Sequence, residues 1–261
     1  MRNLITKKWR VVIVVFAIIA AIPWLAGYIL VYFKDSWNLS SKSNVTDKYD
    51  IFRDLLIIFV TIGVGLGVWA YSELRKRIRS QMMEYMYIFK ATSNALNSYH
   101  DWEEYEYLWL KEKSLTPEVR ARIGFAVTHA QDAYEHMLKA NEQTRKQNGK
   151  LMCDIQSNLA YHLAARQEKS DYQLAHRHAK DVYDSREKYP ERKNDYTEVY
   201  WWVIIRYASL HQSKHKEEFN HAVTEINKLL SDVEIDDNWK DSVRKKYETL
   251  YPADFSSSIS A

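Results

Sequence analysis

From Val11 to Phe33 the chain runs 23 residues without a charged side chain, VVIVVFAIIAAIPWLAGYILVYF. At ~1.5 Å per residue such a helix reaches roughly 34 Å, enough to cross a hydrocarbon core of ~30 Å. Pro23 lies in its middle and is expected to kink it. Lys7, Lys8 and Arg10 resemble the positive start of a cleaved signal peptide, the rival reading. The apolar run exceeds the ~7–15 residues of a signal core, and no small-residue cleavage site precedes a polar start. A second uncharged run, Leu55 to Tyr71, covers 17 residues. Arg53 and Asp54 bound it on one side, and Glu73 with Arg75, Lys76, Arg77 and Arg79 on the other. Trp9, Trp37, Trp69 and Tyr71 fall near the expected ends, where interfacial aromatics belong.

Charge placement sets the expected topology. Residues 1–71 hold eight basic and four acidic side chains, and the stretch 72–80 adds four basic and one acidic. Residues 81–261 carry 25 basic against 29 acidic, so the net +3 of the whole chain belongs to the membrane flanks. Bulk-charge binding of nucleic acid is excluded on that balance. The basic residues at both ends of the hairpin predict a cytoplasmic N-terminus (1–10), spans at 11–33 and 55–71, an external loop at 34–54 and a cytoplasmic C-terminal part, in an inner or plasma membrane. Neither apolar core contains a charge that could serve an ion or proton path. The overall polarity also excludes a many-spanning transporter. The loop carries two sequons, at Asn38 and Asn44, read as chance matches in a Ser/Asn-rich turn. Gly63 and Gly67 form a G-x-x-x-G pair, which lets helix backbones approach within lipid. The pair fits either packing inside the hairpin or a homo-oligomer.

Beyond Tyr71 only Gly124, Gly149, Pro117, Pro190 and Pro252 interrupt strong helix formers, which predicts an all-α domain. Residues 72–150 read as long juxtamembrane helices. The first continues from the second span to about Lys113, with Tyr85, Phe89, Leu96, Tyr99 and Trp102 marking its apolar face. Thr116-Pro117 opens the next, which is expected to end near Asn148-Gly149. From 151 to 250 the helices shorten and pair, near 151–168, 171–188, 196–213, 216–231 and 236–250, and 251–261 reads as a flexible tail. The aromatic-rich segments Trp102–Trp109 and Tyr196–Tyr207 suit core or contact surface, core being the commoner use.

Asn158-Leu159-Ala160, Asp171-Tyr172 with Ala175, and a closing Pro190 resemble one tetratricopeptide repeat. Trp201, Ile204, Ile205 and Ala208, followed by Glu218-Phe219 and Ala222, resemble a second, degenerate copy. The turns are longer than the family's and no proline follows Leu230. The resemblance spans 151–231 and implies a concave protein-binding surface. A helical bundle explains the same small-apolar spacing.

Chemistry has few candidates. Arg206 and His211 fit the R-x4-H pattern and look like the nuclease signature of HEPN-type helical RNases. There, Arg would stabilise phosphate charge while His moves a proton. Arg122 and His129 fit the looser R-x6-H form. His211, His215 and His221 lack the Glu of a metalloprotease helix, so no metal is expected. His176 and His178, two apart, point to different sides of a helix. The single cysteine, Cys153, excludes a disulfide framework and reads as a small core residue, despite His162 and Asp154 nearby. Glycine-rich phosphate loops and nucleophile turns are absent, and no cofactor is expected.

Two functions fit these residues. One is a membrane-anchored cytosolic adaptor or scaffold, non-enzymatic, whose partners are the bilayer and a protein. The other is a defence- or toxin-like membrane effector that senses a nucleotide or cleaves RNA through Arg206 and His211.

Overall fold

The computed structural model describes residues 45–112, 114, 116–168, 170–210 and 216–250. The expected first span at 11–33, the basic residues Lys7, Lys8 and Arg10, the sequons at Asn38 and Asn44, the residues His211 and His215, and the tail at 251–261 lie outside them. The described residues form α-helices and short 3-10 turns, with no strand among them. The chain divides into two compact units, Met1–Arg79 and Ser80–Ala261. Helix α1, Val45–Glu112, contributes to both.

In the first unit α1 is already helical at Val45, so its start precedes Leu55, where the second apolar run begins. Among the described residues, one helix is long and apolar enough to cross a bilayer, and it is this one. Ile57, Ile58, Phe59, Val60, Ile62, Val64, Leu66 and Val68 are all exposed, so the apolar surface runs around the helix. A helix of that kind is matched to a surrounding apolar medium. Thr61 donates its hydroxyl to the Ile57 carbonyl at 2.7 Å, which satisfies its one polar group within the helix. Ion pairs mark the two ends: Arg53 to Asp54 at 3.2 Å and Arg77 to Glu73 at 3.2 Å.

The second unit is a helical bundle. After α1 come α2 (Pro117–Lys139), α3 (Glu142–Gln147), α4 (Gly149–Arg166) and α5 (Asp171–Ser185). Two 3-10 turns lead to α6 (Lys193–Leu210), α7 (Lys216–Ser231) and α8 (Asp237–Leu250). Thr116 caps α2 as its sequence predicts, accepting from the Val119 amide with Pro117 in the first turn. The stripe Val119, Ile123, Ala126, Val127, Ala130, Ala133 and Met137 is buried along one face.

This helix stops at Lys139, short of the expected Asn148-Gly149. Asn141 interrupts it: the carboxamide accepts from the Thr144 amide at 2.9 Å and starts α3. Its own N–H donates to the Glu84 carboxylate of α1 at 2.9 Å. A side-chain cap thus replaces the backbone continuation, a competition open to Asn wherever a partner receives the freed donor.

Helix α4 is the centre, packed against α2, α5 and α6, while α6 also meets α5 and α7. Cys153, Ile155, Leu159, Ala160, Leu163, Ala164 and Ala165 are all buried on it, so it lacks a solvent stripe. Among the described residues, eleven of the 35 buried apolar side chains are alanines, including Ala91, Ala126, Ala160, Ala175 and Ala222 at helix contacts. Small side chains there let the helix axes come close. Both aromatic-rich segments supply core: Trp102, Tyr105, Tyr196 and Trp202 are buried, and Tyr161 stacks on Trp202 at 4.1 Å.

Gly149 opens α4 instead of closing the preceding helix. A side-chain carbon there would collide with the Tyr189 hydroxyl, and Tyr189 is itself held edge-on by Tyr196 at 6.4 Å. Gly149→Ala is expected to lower stability by about 1 kcal/mol through overpacking. Urea unfolding would measure it, and adding Tyr189→Phe should recover most of the loss because the clashing oxygen is gone.

Candidate functional site

Helix α1 enters the bundle by the side that carries little of its apolar stripe. The buried residues between 80 and 112 are Ala91, Ser98, Asp101, Trp102 and Tyr105. Of the expected apolar face, Trp102 alone is buried. Met82 is 65% exposed, Tyr85 66%, Phe89 73%, Leu96 65% and Tyr99 54%. Phe89 and Ala91 are two residues apart and so ~200° apart on a helix. The bundle takes the small side, and the large apolar side faces outward.

Polar pairs fix that choice. The Ser98 hydroxyl donates to the Ala126 carbonyl of α2 at 2.8 Å and lies 3.0 Å from Nδ1 of His162 on α4. With the Ser98 proton on Ala126, His162 acts as the donor at Nδ1. His162 is 3% exposed and stacks on Trp102 at 4.9 Å. Burial pulls its pKa down to about 3. One residue layer along, Asp101 accepts from His129 Nδ1 at 2.7 Å and from Arg122 Nη1 at 3.4 Å. Arg122 reaches Glu104 as well, at 2.8 Å. A seven-residue step returns Arg122 and His129 to one side of α2, so the R-x6-H pair converges on a carboxylate. Two acids already occupy that arginine, so it offers no free positive charge to a phosphodiester.

Of the stronger nuclease pattern, Arg206 is half-buried beside the Gln167 side chain, whose oxygen accepts from the guanidinium once its amide is oriented for that bond. His211 lies outside the described residues. Gln167 caps α4 in the left-handed region, with φ of 62°.

A cleft of about 230 Å³ opens beside Tyr99 and Trp102 of α1, with Tyr161, Arg192, Asp195 and Glu198 among its walls. Arg192 is engaged by Asp154 at 3.2 Å and Asp195 at 2.6 Å. Asp195 also accepts from Trp239 Nε1 of α8 at 2.7 Å, and Asp154 accepts from the Tyr196 hydroxyl at 2.8 Å. These groups knit α4, α6 and α8 together. His162 lines the same cleft, but an imidazole with so low a pKa is a poor base near neutrality.

Cys153 is buried, and burial, with Asp154 second, raises its thiol pKa, so it is held as an unreactive thiol. His178 is buried edge-on to Tyr134 at 4.8 Å, whereas His176 faces Tyr172 and Tyr200. Among the described residues, no three His, Cys, Asp or Glu side chains are grouped to hold a metal ion. Arg75, Lys76, Arg77 and Arg79 are exposed, and a carbon added at Gly63 or Gly67 meets nothing within 4 Å.

Apart from Tyr99, which also walls that cleft, the outward face of α1 is the surface feature that the bundle leaves without an internal role. The periodicity that marks it was visible in the sequence, but its direction was not. Asp101, invisible as a core residue by hydropathy, was the signal: it sits opposite the basic pair of α2. Comparison with protein-family models, with curated proteins and with solved structures finds no match to this chain.

Proposed function

We propose that this chain is a membrane-anchored scaffold whose helical domain docks a protein on the outward face of α1. The observation that carries the reading is that Met82, Tyr85, Phe89, Leu96 and Tyr99 stand exposed in line on one helix. Large apolar side chains gathered in one patch mark interaction surfaces more often than ordinary surface. In this reading the hairpin spans at 11–33 and 55–71 hold the chain in an inner or plasma membrane. The basic residues Lys7, Lys8, Arg10 and Arg75 to Arg79 support a cytoplasmic domain, by the positive-inside tendency. The α4–α5 and α6–α7 hairpins serve as repeat-like units behind the docking face, a view supported by Ala160, Ala175 and Ala222 at their contacts.

Native electrophoresis of the full chain, extracted from membranes in mild detergent, tests the docking. The chain should migrate in an assembly larger than itself. Phe89→Glu should shift most of it to the monomer position while leaving helical circular dichroism unchanged, because residue 89 is outside the core. An assembly that survives Phe89→Glu with Leu96→Glu would refute the docking face.

A further inference from the structure

We infer that the occupant of the outward face is a second copy of the chain, joined through a parallel two-stranded coiled coil; this rests on the docking role proposed above and names its partner. Met82, Tyr85, Phe89, Thr92, Leu96 and Tyr99 alternate three- and four-residue steps. That 3.5-residue period is the seam of two supercoiled helices.

Each position suits the seam. Thr92, half-buried, ties its hydroxyl to the Ile88 carbonyl at 2.9 Å and so brings no unmet donor to the seam. Tyr85 and Tyr99 combine ring area with a hydroxyl that can reach the wet rim. The next two places in the repeat are Glu103 and Glu106. In a parallel pair these carboxylates would face their own copies, which ends the seam after Tyr99. Sliding one helix by a heptad would set Glu103 against Leu96, so the same acids also fix the register.

The extent of the surface favours a tethered second copy over a free partner. Five such side chains offer on the order of 600 Å² per copy, below the ~800 Å² per partner of a stable complex between freely diffusing proteins. Confinement to one bilayer raises the effective concentration and compensates for that shortfall. Copies inserted the same way are parallel, and each has the seam starting three residues after Arg79, so like residues meet like. The face is self-complementary under that operation, apolar against apolar in every layer except that of Thr92.

Thiol cross-linking of the full chain in lipid vesicles tests this. Phe89→Cys and Leu96→Cys place thiols in the seam, while Lys90→Cys and Asn97→Cys place them on an exposed flank ~100° away. Under mild oxidation the seam variants should form dimers roughly tenfold faster than the flank variants, as seam positions are the closest across a coiled coil. The unaltered chain is the blank, since its lone Cys153 is buried. Equal rates at all four sites, or no dimer at 89 and 96, would overturn the second copy. If dimers are absent yet Phe89→Glu still dissolves the native assembly, a different protein fills the face; the docking reading then stands and this inference fails. If the assembly is also indifferent to Phe89→Glu, both fail. Protection of Phe89→Cys from an aqueous maleimide by vesicles, without dimer, would assign the face to lipid and likewise overturn the inference.

Discussion

Lowering the pH from 7 to 4 is expected to remove several kcal/mol of stability from the helical domain, with His162 as the largest single source. In the unfolded chain its imidazole titrates near 6.5. In the fold, burial holds it neutral down to about 3. Below about 6.5 the unfolded chain therefore binds a proton that the folded chain refuses, and the equilibrium moves toward unfolding by up to ~1.4 kcal/mol per pH unit. The stability this group contributes is complete above its unfolded pKa and is lost progressively as the pH falls toward 3. Over the interval from 6.5 to 4 the loss from His162 is on the order of 3 kcal/mol, a large fraction of a typical domain's 5–15. His178, whose pKa burial also lowers, acts in the same direction, as does the half-buried His176.

Urea titrations of the full chain in detergent at pH 7, 5.5 and 4, followed by tryptophan emission, would measure the slope. Trp102, which lies against His162, is one of the chain's nine tryptophans, five of them beyond residue 80, so the emission reports unfolding of the domain as a whole. His162→Gln keeps a hydrogen-bonding side chain but cannot titrate. It should be weaker than the native chain at pH 7 and show a flatter dependence between 6.5 and 4. An unchanged slope in that variant would assign the acid sensitivity elsewhere.

Asp171→Ala should lower stability by about 3 kcal/mol, because it leaves a partly buried guanidinium with only the exposed Glu168 carboxylate, at 3.5 Å, as partner. Asp171 is 1% exposed and accepts from Nε and Nη2 of Arg166, at 2.9 and 2.7 Å. It also accepts from the Glu168 amide at 3.0 Å. The connection between α4 and α5 is only the residues 167–170, and Gln167 within it is in the left-handed region. Asp171 holds this turn from both sides. Asp171→Asn retains an acceptor of the same shape and is expected to lose less, about 1–2 kcal/mol. Arg166→Met combined with Asp171→Ala should be less damaging than the sum of the single changes, since no charge is then left unpaired. Urea midpoints of the four proteins give the coupling directly; strictly additive losses would mean that the pair does not act as a unit.

The sequence was most readable where backbone chemistry is local. Thr116-Pro117 starts a helix because a hydroxyl acceptor and a fixed φ act within one turn, and the structure has that start. The bounds of α4 to α8 likewise fall within about three residues of those read from apolar spacing, most of them inside the one- or two-residue scatter of helix ends. Two things were hidden. The break at Asn141 depends on Glu84, 57 residues away, which receives its freed amide. The orientation of α1 was also hidden, since hydropathy ranks Phe89 and Leu96 above Ala91, Ser98 and Asp101. What decides is the complement on α2 and α4: Ala126, His129 and His162 recognise the polar, small side. The candidate site was thus legible as a pattern but not in direction, because a single helix carries no record of which of its two sides finds a protein neighbour.

The alanines at the helix contacts give this domain an inverted mutational profile. In a saturation scan the usual expectation is that bulky apolar positions tolerate least. Here Ala91, Ala126, Ala160, Ala175 and Ala222, each fully buried, should be the most restrictive sites, since even one added methylene pushes neighbouring axes apart. Phe89 and Leu96 should by contrast accept polar residues with no penalty to folding. Lineages diverging from this chain would accordingly be recognised by a register of retained small residues, with the conspicuous aromatics free to drift wherever docking is not under selection.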